Sequence, residues 1–163
     1  MDNKGFIEIK ITGKKGEISL SPETYDIYEI KILFDHLENL LFPQDGKGRP
    51  TISYEIKDGS VRHFFKTSMQ AVISFNAVLG ALQKNQTLDF LEYQTAKAIW
   101  SLQQTSRKQN YNFDISTSIK ESNHLVINPE TEFYLPENEW VDAEFYFYGE
   151  ITNMGGRKIR MST

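Results

Sequence analysis

The sequence predicts an α+β fold: a mainly antiparallel sheet with about three helices packed on one face, a two-layer sandwich. Three observations carry that prediction. Several stretches alternate apolar and polar residues, the mark of half-buried strands. Three stretches place apolar residues at helical spacing behind capping residues. The order is two strands, a helix, two strands, two helices and then further strands. That is hairpin-rich and unlike the regular alternation of a doubly wound parallel sheet.

Ile7, Ile9 and Ile11 alternate with Glu8, Lys10 and Thr12 and give a first strand. The run Gly13-Lys14-Lys15-Gly16 reads as a turn, with residues 16–20 as the returning strand of an opening hairpin. Asp26 followed by Glu29 is a capping box. Ile27, Ile30, Leu33, Phe34, Leu37, Leu40 and Leu41 then mark a helix over about residues 25–42, which Pro43 ends.

Residues 51–66 hold two alternating runs around Asp58-Gly59, the favoured centre of a two-residue hairpin turn. That turn sets Tyr54 opposite His63, Ile52 opposite Phe65 and Glu55 opposite Arg62, with the last two as an ion pair. His63 then falls on the inner face beside Tyr54. Thr67 with Gln70 suggests a second helix start, and residues 69–83 are apolar nearly all round, as in a helix buried on most sides. Asp89 with Glu92 suggests a third cap. Its helix runs to about Gln109, buries Phe90, Ala96, Ile99, Trp100 and Leu102, and stops at Asn110.

Tyr111, Phe113, Ile115, Thr117 and Ile119 alternate with polar residues as another strand. Residues 125–127 and 131–135 are short strand candidates. Residues 140–151 form the longest alternating run. Val141, Ala143, Phe145, Phe147 and Ile151 share one face, and Asp142, Glu144, Tyr146, Tyr148 and Glu150 share the other. A turn at residues 153–156 would set Glu150 opposite Arg160.

The 163 residues read as a single domain, 1–163, and as the N-terminal domain of a longer protein in the other reading. The absence of cysteine excludes disulfides, thiolate metal sites and a cysteine nucleophile. The N-terminus lacks an apolar signal region, and the longest apolar stretch is too short to span a bilayer. The expectation is a soluble, cytoplasmic protein of bacterial type, with no membrane contact. A net charge of −4 gives no global field toward nucleic acid, and no nucleic-acid motif is present, so nucleic acid is not the expected partner. Arg157, Lys158 and Arg160 form only a small basic patch.

Chemistry is sparse. His36, His63 and His124 have no metal-ligand spacing among them. His63 reads as an interior residue, His36 as part of a solvated helix flank and His124 as a loop residue. The glycine–lysine runs at residues 13–16 and 45–49 do not match a phosphate loop and read as turns. No motif for a serine nucleophile is present. No catalytic residue, metal site or cofactor is assigned.

The expected function is a non-catalytic binding or assembly domain. Its contact face is Trp140, Asp142, Glu144, Tyr146 and Tyr148, where phenols supply area and carboxylates set orientation. The expected partner is a protein: a second copy, or a downstream domain of the same protein. Two alternatives stand beside it. One is a metal-dependent hydrolase using Asp114, Asp142 and Glu144. The other is a small-molecule-sensing domain with a pocket between helices and sheet.

Overall fold

The computed structural model describes residues 3–42 and 49–135. Along the chain these form β1 (Lys4–Thr12), β2 (Lys14–Lys15), β3 (Ile18–Ser19), α1 (Ile27–Leu41), β4 (Ser53–Lys57) and β5 (Val61–Ser68). There follow α2 (Met69–Asn85), α3 (Tyr93–Gln109), β6 (Asn112–Thr117) and β7 (Leu125–Ile127). Five strands make an antiparallel sheet in the order β4-β5-β1-β6-β7, and the helices lie on one face of it. The predicted α+β architecture is what the chain adopts.

The alternation in β1 explains why it sits centrally. Ile7, Ile9 and Ile11 are fully buried beneath the helices, each worth ~1.5–3 kcal/mol relative to exposure. Val61, Phe65, Phe113, Ile115, Leu125 and Ile127 continue that dry layer across the neighbouring strands. Leu33, Leu37 and Leu40 of α1, Phe75, Leu79 and Leu82 of α2, and Ile99 and Leu102 of α3 close it from above. Both ends of α1 fit its sequence. Asp26 Oδ1 accepts from Tyr28 N at 2.8 Å, and Glu29 reaches back to Asp26 N, completing the capping box. Asn110 ends α3 in the left-handed conformation (φ 59°), which asparagine tolerates better than most residues.

Several expectations need correction. There is no opening hairpin in the main sheet. β1 pairs with β5 and β6 instead, while residues 14–15 and 18–19 form a separate small ribbon. Gly13, at φ 152°, permits the departure: Tyr111 packs 2.9 Å from where a Cβ would stand. The β4–β5 hairpin is shifted by two residues, with Tyr54 opposite Phe65 and Lys57 opposite Arg62. Both Gly59 (φ 98°) and Ser60 (φ 61°) enter the left-handed region, so the loop is longer than two residues. An even shift keeps every side chain on its face. It does separate Glu55 from Arg62, and that expected ion pair is not made.

The cap of α2 is Ser68, whose Oγ accepts from Ala71 N at 3.3 Å. Thr67 remains in β5, fully buried, and donates to Thr51 O. Helix α2 buries one face only, and Ile73 is 56% exposed. Asp89 and Glu92 form no capping box. Buried Leu88 pulls the chain inward first, and α3 starts at Tyr93 with Phe90 exposed. β6 ends at Thr117, short of Ile119. Residues 131–135 are not a strand. Side chains of α3 satisfy their backbone instead: Gln103 Nε2 donates to Phe133 O, Gln103 Oε1 accepts from Phe133 N, and the Arg107 guanidinium donates to Thr131 O.

No helix among the described residues is long and apolar enough to cross a membrane.

Candidate functional site

The helices cover one face of the sheet, and the other face is open. Register sets its composition row by row. Lys57 of β4 lies opposite Arg62 of β5, which lies opposite Lys10 of β1, followed by Asp114 of β6. The next row is Glu55, Phe64, Glu8 and Ser116, and the one after it brings Ser53, Lys66 and Phe6 together. Three cations thus stand directly side by side, an arrangement that costs stability in a sheet.

The local contacts relieve part of that cost. Arg62 Nε donates to Glu8 Oε2 at 2.9 Å, and this bond raises the guanidinium pKa further. Phe64 carries Lys57 Nζ at 4.7 Å and Arg62 Cζ at 5.0 Å over its ring, cation–π contacts of ~0.5–1 kcal/mol at an exposed site. Phe6 meets Phe64 edge-on at 5.3 Å between centroids. Phe6, Phe64, Lys57, Arg62 and Lys66, with Glu55, line a shallow depression of about 490 Å³ over β4, β5 and β1. The open face therefore couples aromatic area to a surplus of positive charge.

A second concentration of polar groups lies under the helices. His63 is fully buried, shares a 2.6 Å hydrogen bond between Nδ1 and the Tyr54 hydroxyl, and packs against the Tyr25 ring. Its Nε2 has no hydrogen-bond partner among the described residues. Nearby, the Tyr111 hydroxyl donates to Glu29 Oε1 at 2.9 Å, and Lys15 Nζ holds Glu29 Oε2 at 2.8 Å. Burial lowers His63 to about 4 and raises Tyr54 to about 12. The Tyr25 and Tyr111 phenols are pushed up as well, by burial first and by the Glu29 carboxylate second. At neutral pH all four groups are uncharged. A phenol that resists deprotonation and an imidazole that resists protonation are poor acid–base partners, so this cluster is interior polar packing.

Among the described residues, two larger concavities flank the helices. One of about 360 Å³ lies between α1 and α3, over Tyr25, Leu102 and Phe113. Its best-placed charges, Lys15 and Glu29, already neutralise each other. Burial lowers the pKa of His36 on its wall, against the raising effect of Asp35. The other, of about 520 Å³, runs between the end of α1, α2 and the loop into α3 and is mostly apolar.

The expected contact residues Trp140, Asp142, Glu144, Tyr146 and Tyr148 lie outside the described residues, as do the patch at Arg157, Lys158 and Arg160 and most of the loop at 45–49. Asp114 is on the open face but already bonds His124 Nδ1 at 3.0 Å, and His124 lies in a loop as expected. Among the described residues no three acidic or histidine side chains converge as a metal site. The sequence reading missed Phe6, Phe64, Lys10, Lys57, Arg62 and Lys66 as a group. Their outward phase was legible in each strand. Their adjacency depends on β1 pairing with β5, more than fifty residues away, and no local pattern announces that. Comparisons with protein-family models, curated proteins and solved structures gave no match.

Proposed function

We propose that this chain is a non-catalytic binding or assembly domain whose contact surface is the open face of its sheet. The observation that supports this reading is the row Lys57, Arg62 and Lys10 set beside Phe6 and Phe64. Like charges placed in register weaken a free sheet, whereas an anionic partner converts the same row into attraction. Exposed aromatic area alongside supplies the apolar contribution that charge alone does not. The matching partner is a protein surface rich in carboxylates and aromatic rings. The setting proposed with it is a reducing cytoplasm, with which the absence of cysteine is compatible.

The full chain should bind poly(Glu,Tyr), a soluble acidic and aromatic copolymer, at low salt. Polyglutamate should bind more weakly, because it lacks the rings. Lys57→Glu with Lys66→Glu should abolish both interactions. Equal binding by that variant and the wild type would remove the open face as the contact surface.

A further inference from the structure

Resting on that reading of the open face, we infer that its partner is a second copy of this chain, which supplies residues 137–150. The complementarity is written in the sequence. That stretch holds the carboxylates Glu137, Glu139, Asp142, Glu144 and Glu150, and no lysine or arginine occurs between residues 121 and 156. It also holds Trp140, Phe145, Tyr146, Phe147 and Tyr148. The open face offers the opposite charge around two phenylalanine rings: Lys10, Lys57 and Lys66 form no ion pair among the described residues, and Arg62 has one. An acidic, aromatic segment laid across a basic, aromatic sheet face satisfies both at once.

Reach argues for a neighbour's segment. Phe133 is fastened to Gln103 of α3 through both its backbone groups, so the chain departs from the helix side of the sheet. Phe64 lies on the other side, across β7, β6 and β1. The path is ~10 Å between layers plus three strand spacings of ~4.8 Å, roughly 24 Å before the bend around the edge. Extended chain covers at most ~3.3–3.6 Å per residue. Within one chain Glu137 and Glu139 are too close to Phe133 to arrive, Asp142 has only ~30–32 Å of chain for the path and its bend, and the stretch from Glu144 to Glu150 does arrive. A second copy can lay the whole segment down. Two copies exchanging the same face and segment make a closed, self-complementary pair.

Charge reversal on full-length chains tests this. Sedimentation velocity of the wild type should show self-association that weakens from about 0.05 M to about 0.5 M salt. Lys57→Glu/Lys66→Glu should weaken it at least ~tenfold, and so should Asp142→Lys/Glu144→Lys. Mixing those two variants should restore a mixed dimer, because each supplies what the other repels, and restoration also shows that both are folded. Wild-type chain that stays monomeric at every concentration, or a mixture that stays dissociated, would overturn the second copy as partner. In that event, retained binding of poly(Glu,Tyr) leaves the open face standing as a contact surface, and lost binding removes both.

Discussion

Tyr54 and His63 share a 2.6 Å hydrogen bond although they are not directly opposite in the sheet. Tyr54 faces Phe65, and His63 faces Ile56. The bond is diagonal, between an edge strand and a fully buried imidazole. It gives the apolar layer one polar connection to β4.

That burial makes stability depend on acid. His63 is held neutral down to about 4 in the fold, while an unfolded chain takes the proton near 6.5. Between those values the unfolded state binds more protons. Stability is therefore complete above pH ~6.5, falls as pH falls toward 4, and levels off below it. The full window is worth about 3 kcal/mol. Urea unfolding from pH 7.5 to 4.5 should show a steeper loss in the wild type than in His63→Phe. Parallel curves would mean that His63 is not the group responsible.

Tyr111 and Glu29 join β6's approach to the start of α1. The phenol is buried, and the carboxylate also serves Lys15 and the Asp26 cap. Tyr111→Phe should cost about 1–2 kcal/mol, since a buried ring loses a bond to a charged acceptor. In a double-mutant cycle with Glu29→Gln the coupling should be about 1 kcal/mol. A coupling near zero would show that the bond contributes nothing to stability.

Gly80 lies inside α2, where a Cβ would come 2.6 Å from Asn123 Nδ2. That amide donates to Asn76 O, and Asn123 N donates to Asn76 Oδ1. Gly80→Ala gains ~1 kcal/mol of helix propensity and loses a hydrogen bond of similar worth. It should leave stability within about 0.5 kcal/mol of wild type. In an Asn123→Ala background the same substitution should stabilise by about 1 kcal/mol. Identical effects in both backgrounds would contradict this steric coupling.

Much of this architecture was legible in short-range pattern. The triple isoleucine of β1, the Asp26–Glu29 capping box and the stop at Asn110 are local signals, and each is realised. What failed needed information the local pattern does not hold. Gly13 to Gly16 looks like a hairpin turn, yet β1 gains more by burying both its edges in the sheet centre. Asp58-Gly59 looks like a two-residue turn, but Ser60 also adopts positive φ and lengthens the loop. The contact face was sought on residues 140–151, which lie outside the described residues, and the described face that joins cations to aromatic rings lies on β4, β5 and β1.

Charge reversal on that face should separate association from folding. Lys57→Glu removes a cation over Phe64 and also removes a like charge opposite Arg62. These terms are of opposite sign, each below ~1 kcal/mol. Thermal unfolding of Lys57→Glu should stay close to wild type while binding of acidic partners weakens. Loss of stability matching the loss of binding would make the row a structural feature.

Lysine footprinting of the full chain tests the contact surface most directly. Acetylation rates of Lys10, Lys57 and Lys66 are compared with those of Lys31 on α1 and Lys97 on α3 as protein concentration rises at low salt. Slower reaction confined to the three sheet lysines, and reversed by high salt, is the expected result. Unchanged rates at all five lysines, or protection only on the helices, would contradict an open sheet face that receives a second copy of the chain.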